Sequence, residues 1–177
     1  MSDLKHVLVS MILVFFVVVN TNAQDLKSEK IRHQNNTEQA IGINLDAWHK
    51  AAAEANFNSY FKLMTTDAVF IGTDASEHWD LDAFKAYSKP HFDRGSAWTF
   101  TVLERHVYQY NAKVAWFDEL LQTQMGVCRG SGVMKLEDGT WKVAHYVLSA
   151  TIPNEKMNAV IPLKETEDSI IIKSFTE

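Results

Sequence analysis

Apolar residues follow three rhythms along this chain. Over residues 7–19 they run on with only Ser10 between them. From Ile41 they recur as Ile41, Leu45, Trp48, Ala52 and Ala55, at spacings that alternate between four and three. That spacing keeps them on one face of a helix. From Trp98 onward, Thr, Val, Trp, Phe and Tyr dominate residues 98–110, 113–122, 125–136 and 141–151. Those stretches read as long strands. Asn111-Ala112, a short turn near Thr123, and Asp138-Gly139 separate them as hairpin turns.

Local signals fill the gaps. Residues 24–36 are polar without periodicity and are expected to form a flexible leader. Thr37 is expected to cap the first helix, with Glu38 well placed in its first turn. Residues 59–64 predict one more short helix, and residues 67–72 a short strand. Asp80 can cap a third helix that runs to about Phe92, with Leu81, Phe84 and Tyr87 on one side. After Pro153 a helical turn is expected over residues 155–160. A charged tail over residues 156–177 would include Ile170, Ile171 and Ile172 as a small edge strand. Helices followed by an antiparallel meander define an α+β chain.

The first rhythm has its own meaning. A membrane-spanning helix needs about 20 apolar residues, whereas the apolar part of a cleaved export signal needs only about 7 to 15. Residues 7–19 fit the second case. Lys5 and His6 precede them, and a polar stretch ending in the small Ala23 follows. The expected reading is a signal peptide over residues 1–23, cleaved before Gln24. The mature protein would then be periplasmic or secreted and free of the membrane.

Composition narrows the function. The signal segment carries one acid, Asp3, and one base, Lys5, so its loss leaves the net charge at −5. With no basic stripe, nucleic acid is an unsuitable partner. Cys128 is the only cysteine. An internal disulfide is therefore impossible, and Cys-rich zinc sites are excluded. The seven histidines show neither HxH nor HExxH spacing, so no metal and no cofactor are expected.

Several segments together resemble the SnoaL-like branch of the nuclear transport factor 2-like superfamily. They are the first amphipathic helix, Asp67-Ala-Val-Phe-Ile-Gly-Thr-Asp-Ala-Ser-Glu-His-Trp79, Ala115-Trp-Phe-Asp-Glu119, Arg129-Gly-Ser-Gly-Val133, Gly139-Thr-Trp-Lys-Val-Ala-His-Tyr-Val-Leu-Ser149 and Pro153-Asn154. The resemblance places a SnoaL-like domain at residues 37–155. It implies a cone: a strongly curved antiparallel sheet wrapped around N-terminal helices, with a cavity between them. Relatives include ketosteroid isomerase, scytalone dehydratase, polyketide cyclases and non-catalytic association domains, so the fold leaves the activity open. Where the isomerase carries its catalytic carboxylate, this chain has Gly72, with Asp74 two residues on.

The last hairpin decides which residues line the cavity. A three-residue loop at Glu137-Asp138-Gly139 would place Arg129, Ser131 and Val133 on one face with Trp141, Val143, His145, Val147 and Ser149. A two-residue Asp138-Gly139 turn would instead place Cys128, Gly130, Gly132 and Met134 with Trp141 and His145. On the first register, which is adopted here, Arg129 would anchor an anionic group and His145 would serve as acid or base, with Ser131 and Ser149 beside them.

Asp118 and Glu119 are adjacent and point to opposite faces. With a two-residue turn at Asn111-Ala112, Arg105 would pair with Asp118, and Glu104 would oppose Glu119. That arrangement favours Glu119 as the acid in the cavity, beside His145 or Arg129. Trp79 would stand at the mouth, and Trp48 would be core or cavity wall.

Three functions fit this reading. The first is binding of a small organic molecule in the cavity. The second is cofactor-independent isomerase, dehydratase or cyclase chemistry by His145 with Glu119 or Asp118. The third is a non-catalytic homodimer built on the sheet's outer face, through Tyr108 and Tyr110 or through Tyr146 and Leu148.

Overall fold

The computed structural model describes the backbone of residues 2–176 and the side chains of residues 24, 27–32 and 34–176. The expected export signal, residues 1–23, lies outside the described side chains. The chain divides into two units, Met1–Ala40 and Ile41–Glu177. Helix α1 spans Ser2–Ala53. Residues 24–36 are thus helical rather than a flexible leader, and Thr37 lies inside the helix instead of capping it. Among the described residues no helix is long and apolar enough to cross a membrane.

The second unit holds the sheet. The apolar stripe from Ile41 to Ala52 is buried where expected, with Ile41, Leu45, Trp48 and Ala52 almost without exposed surface. The helix stops because the chain turns left-handed at Ala55 (φ 51°). The N–H of Ala55 donates to Ala52 O, and that of Asn56 to Ala51 O, which satisfies the last carbonyls in the manner of a Schellman end. Asn56 then caps the short α2, Phe57–Lys62, by accepting from Ser59 N.

Strand β1 (Met64–Ile71) pairs with the short β2 (His78–Asp80). Asp80 caps α3 (Leu81–Asp93) by accepting from Ala83 N at 2.9 Å, as its position in the sequence suggests. Four long strands follow: β3 (Thr101–Asn111), β4 (Val114–Thr123), β5 (Gly126–Glu137) and β6 (Thr140–Ala150). They form one curved six-stranded sheet in the order β2-β1-β6-β5-β4-β3. Every pairing is antiparallel except β1 with β6, which is parallel. A 3-10 turn (Asn154–Lys156) leads into helix α4 (Met157–Thr176). Ile170–Ile172 is therefore helical, not an edge strand.

Two turns correct the expected registers. Asp138 and Gly139 both have positive φ (50° and 76°), the signature of a two-residue type I′ turn. Glu137 accordingly pairs with Thr140 and Met134 with Val143. A bulge at Ala144 then shifts the pairing, so Val133 opposes His145 and Gly132 opposes Tyr146. An extra residue swaps the faces of everything beyond it. Trp141, Val143, Tyr146 and Leu148 face the core with Cys128 and Met134, while His145, Val147 and Ser149 face out with Arg129, Ser131 and Val133.

The other turn sits one residue later than expected, at Ala112-Lys113. Asn111 pairs with Val114, and its side chain accepts from Lys113 N. A bulge at Tyr110 then shifts the pairing by one residue, so that Arg105 opposes Glu119 and His106 opposes Asp118.

Candidate functional site: an aromatic cleft in front of a buried ion cluster

Strand β4 alternates cleanly. Ala115, Phe117, Glu119 and Leu121 face the core and Trp116, Asp118 and Leu120 face away. That parity sends a carboxylate inward: Glu119 has no exposed surface. Its two oxygens are divided between two partners. His49 on α1 lies 2.7 Å from Oε2, and Arg105 on β3 donates through Nε to Oε1 at 2.6 Å. Burial alone would push the Glu119 carboxyl up. The hydrogen bonds and charges of His49 and Arg105 overcome that and hold it below its ordinary value.

Arg105 also reaches back to α1. Nη1 donates to the Gly42 carbonyl at 3.1 Å. Nη2 lies 2.8 Å from Asp46 Oδ1, an ion-pair contact not aligned as a hydrogen bond.

Aromatic rings pack in front of this cluster. Trp48 stacks on Tyr60 and meets Tyr146 edge-on, both at 4.9 Å. Tyr146 has room because β5 carries Gly130: a Cβ there would fall 2.2 Å from the Tyr146 hydroxyl. Trp48 Nε1, Tyr60 Oη and Tyr146 Oη are buried with no hydrogen-bond partner among the described residues. Burial pushes both phenols well above their ordinary value, with the Glu119 charge adding to this at Tyr146. Both therefore stay neutral donors.

Toward the surface the packing opens into a cleft of about 270 Å³. Six rings line it: Phe70 from β1, Trp79 from β2, Phe84 and Tyr87 from α3, and Trp98 and Phe100 from the segment before β3. Phe70 stacks on Phe84 at 4.0 Å and Trp79 on Tyr87 at 4.3 Å. Thr73, Glu77 and Gln124 supply its polar edge. An apolar cavity of about 150 Å³ admits benzene, so this cleft has room for a substituted single ring. Phe100 links cleft and cluster, for it lines the cleft and also meets the His49 ring at 5.6 Å.

The expected site residues divide between these places and the outer face. Glu119 is buried at the ion cluster, Trp48 is in the core behind the cleft, and Trp79 is part of the cleft wall. Asp118 faces outward, 3.1 Å from His106. His145, Arg129 and Ser131 share that outer face: the two-residue turn at Asp138-Gly139 sends Arg129 and Ser131 out of the cavity, and the bulge at Ala144 sends His145 after them. Ser149 lines a second depression, of about 610 Å³, with residues of α4.

Sequence reasoning passed over His49, Arg105's inward role and Glu77. The signal for His49 was present: it follows Gly42 and Asp46 by seven and three residues, which places all three on one side of the helix.

This architecture is that of the nuclear transport factor 2-like fold. A protein of that fold from Pseudomonas putida KT2440, of unknown function, superposes with a TM-score of 0.59 at 15% identity, over 69% of this chain and 92% of its own. One from Cytophaga hutchinsonii ATCC 33406 gives 0.55 at 18% identity, over 64% and 98%. A cystatin-like protein of unknown function from Nostoc punctiforme gives 0.54 at 10% identity, over 64% and 90%. No curated protein matches the chain. The SnoaL-like domain family matches residues 43–153, and the chain belongs to that family.

The ion cluster makes a pH prediction. A carboxyl held low in the folded state stabilises it fully above the ordinary carboxylate range. That contribution is lost as pH falls through the folded value. Arg105→Ala, which leaves the buried Glu119 with His49 as its one partner, should cost about 3 kcal/mol at pH 7. Urea unfolding of wild type and Glu119→Gln at pH 7 and at about pH 4 should show their difference in stability shrinking on acidification. A constant difference would mean that ionisation of Glu119 does not contribute.

Proposed function

We propose that this SnoaL-like protein is exported and binds a small, flat, mostly apolar molecule in the cleft lined by Phe70, Trp79, Phe84, Tyr87, Trp98 and Phe100. The observation that carries the reading is the lining itself: six rings around a 270 Å³ space with three polar side chains at its edge. A mostly apolar cavity with a few placed polar groups is the usual form of a small-molecule site.

Binding is favoured over proton-transfer chemistry by the place of the acid–base pair. His49 and Glu119 are both buried, their facing atoms are bonded to each other, and neither lines the cleft. His145, the histidine first expected to act as base, is on the opposite face of the sheet.

A thermal-shift screen of small organic molecules tests this. A ligand at a hundredfold excess over its dissociation constant adds about 2.7 kcal/mol, or roughly 5 to 10 °C for a chain of this size. Single-ring compounds should give such shifts, and Trp79→Ala should abolish them while leaving the unliganded protein folded. A library with no stabilising compound would overturn the reading. The export half rests on the apolar run over residues 7–19, and N-terminal sequencing of the protein from the exported fraction should begin at Gln24. An intact Met1 would contradict it.

A second reading concerns the outer face of the sheet. Trp116 is 46% exposed, stacks on Tyr108 at 5.8 Å and lies 6.4 Å from Tyr110. We propose this aromatic patch on β3 and β4 as the contact of a homodimer. Tyr146 and Leu148, the other pair considered, are buried inside and cannot serve. Sedimentation equilibrium should show a dimer that Trp116→Arg converts to monomer, and a monomeric wild type would dismiss it.

A further inference from the structure

The charged and aromatic groups of the cleft are unequal in a way that selects among ligands. Glu77 is the one acidic side chain in its lining, and no Lys, Arg or His lines it. Among the described residues no cation pairs with Glu77 either. The carboxylate is held in place. Oε2 accepts from Asp74 N at 3.1 Å. The carboxylate occupies the space beside Gly72, where any Cβ would fall 2.1 Å from Oε2. It lies close enough to the Tyr87 phenol to help push that group up, after burial.

The same cleft is lined by Trp79 and Tyr87, stacked on each other, and by Trp98. The faces of aromatic rings are electron-rich, and an organic cation within about 6 Å of a ring centroid is attracted to them, most strongly by Trp. An anion would meet repulsion from both the rings and Glu77. Resting on the binding reading above, we propose that the ligand of the cleft is an organic ammonium: a small apolar body bearing an alkylated amine, with the charge seated against Trp79, Tyr87 and Trp98 and facing Glu77. The apolar body then lies toward Phe70 and Phe84. The net charge of −5 favours approach of such a cation at low salt.

Two probes of one shape separate charge from apolar fit. Benzyltrimethylammonium and its neutral isostere neopentylbenzene are titrated into the full chain, with phenylacetate as the anion, and tryptophan fluorescence is followed. The ammonium should bind at least tenfold more tightly than the isostere. Glu77→Gln, whose amide oxygen can still accept from Asp74 N, should weaken the ammonium at least fivefold and leave the isostere unchanged.

If the isostere binds as tightly as the ammonium, cation recognition is wrong while the cleft stands as a site for apolar molecules. If Glu77→Gln leaves the ammonium's affinity as it was, the assignment of Glu77 fails. If none of the three probes changes the fluorescence, the binding reading itself falls and this inference with it.

Discussion

On the inner face of β4, one strand in from the edge of the sheet, sits a carboxylate with no exposed surface, between Phe117 and Leu121, which offer it only apolar contact. Burying Glu119 unpaired would cost several kcal/mol or leave it protonated. The fold meets that constraint by bringing His49 and Arg105 to its two oxygens, one from the helix and one from the edge strand. Because Arg105 also holds the Gly42 carbonyl, the cluster joins the end of α1 to β3 and β4 at one point. Asn44 adds a second tie, donating to the Trp141 carbonyl on β6. The helix between these ties has little freedom to slide, and Trp48, which it carries, is set against Tyr60 and Tyr146.

The position of the cleft follows. With Trp48, Tyr60 and Tyr146 filling the centre, the remaining space lies between α3, the start of β3 and the β1–β2 hairpin, where aromatic side chains meet face to face. The polar parts of the domain are thereby divided. The strong charges are spent in the buried cluster behind Phe100, and the cleft keeps only Glu77 with the uncharged Thr73 and Gln124. A division of this kind suits recognition better than proton transfer, since the groups able to move a proton are already bonded to one another.

Much of the fold was legible because it depends on patterns within one element. The stripe Ile41, Leu45, Trp48, Ala52, the capping Asp80 and the strand-rich second half each state their own secondary structure. What escaped depended on a single residue's offset. The bulge at Ala144 turned His145 outward, and a turn at Ala112-Lys113 followed by a bulge at Tyr110 gave Arg105 to Glu119 and left Asp118 to His106. No periodicity announces such an offset, because the residues on either side of it alternate correctly. Glu119 is inside as expected, but not for the expected reason: the Arg105–Asp118 pairing that favoured it does not form, and its true partners come from a helix 70 residues away and from across a hairpin. Helix α4 was misread for a related reason. Its Pro162 and its Ile170–Ile172 run both argue against helix locally, yet the backbone is helical through both.

A ligand of the proposed site would lie between the rings of the cleft and not on the sheet's exposed aromatic patch. The five tryptophans report on this directly, since Trp79 and Trp98 line the cleft, Trp48 and Trp141 are buried, and Trp116 lies on the outer face. Indole N–H resonances followed by NMR at saturating benzyltrimethylammonium should move for Trp79 and Trp98 and stay fixed for Trp116. Movement of Trp116 with Trp79 and Trp98 unchanged would mean that the cleft is not where the ammonium binds.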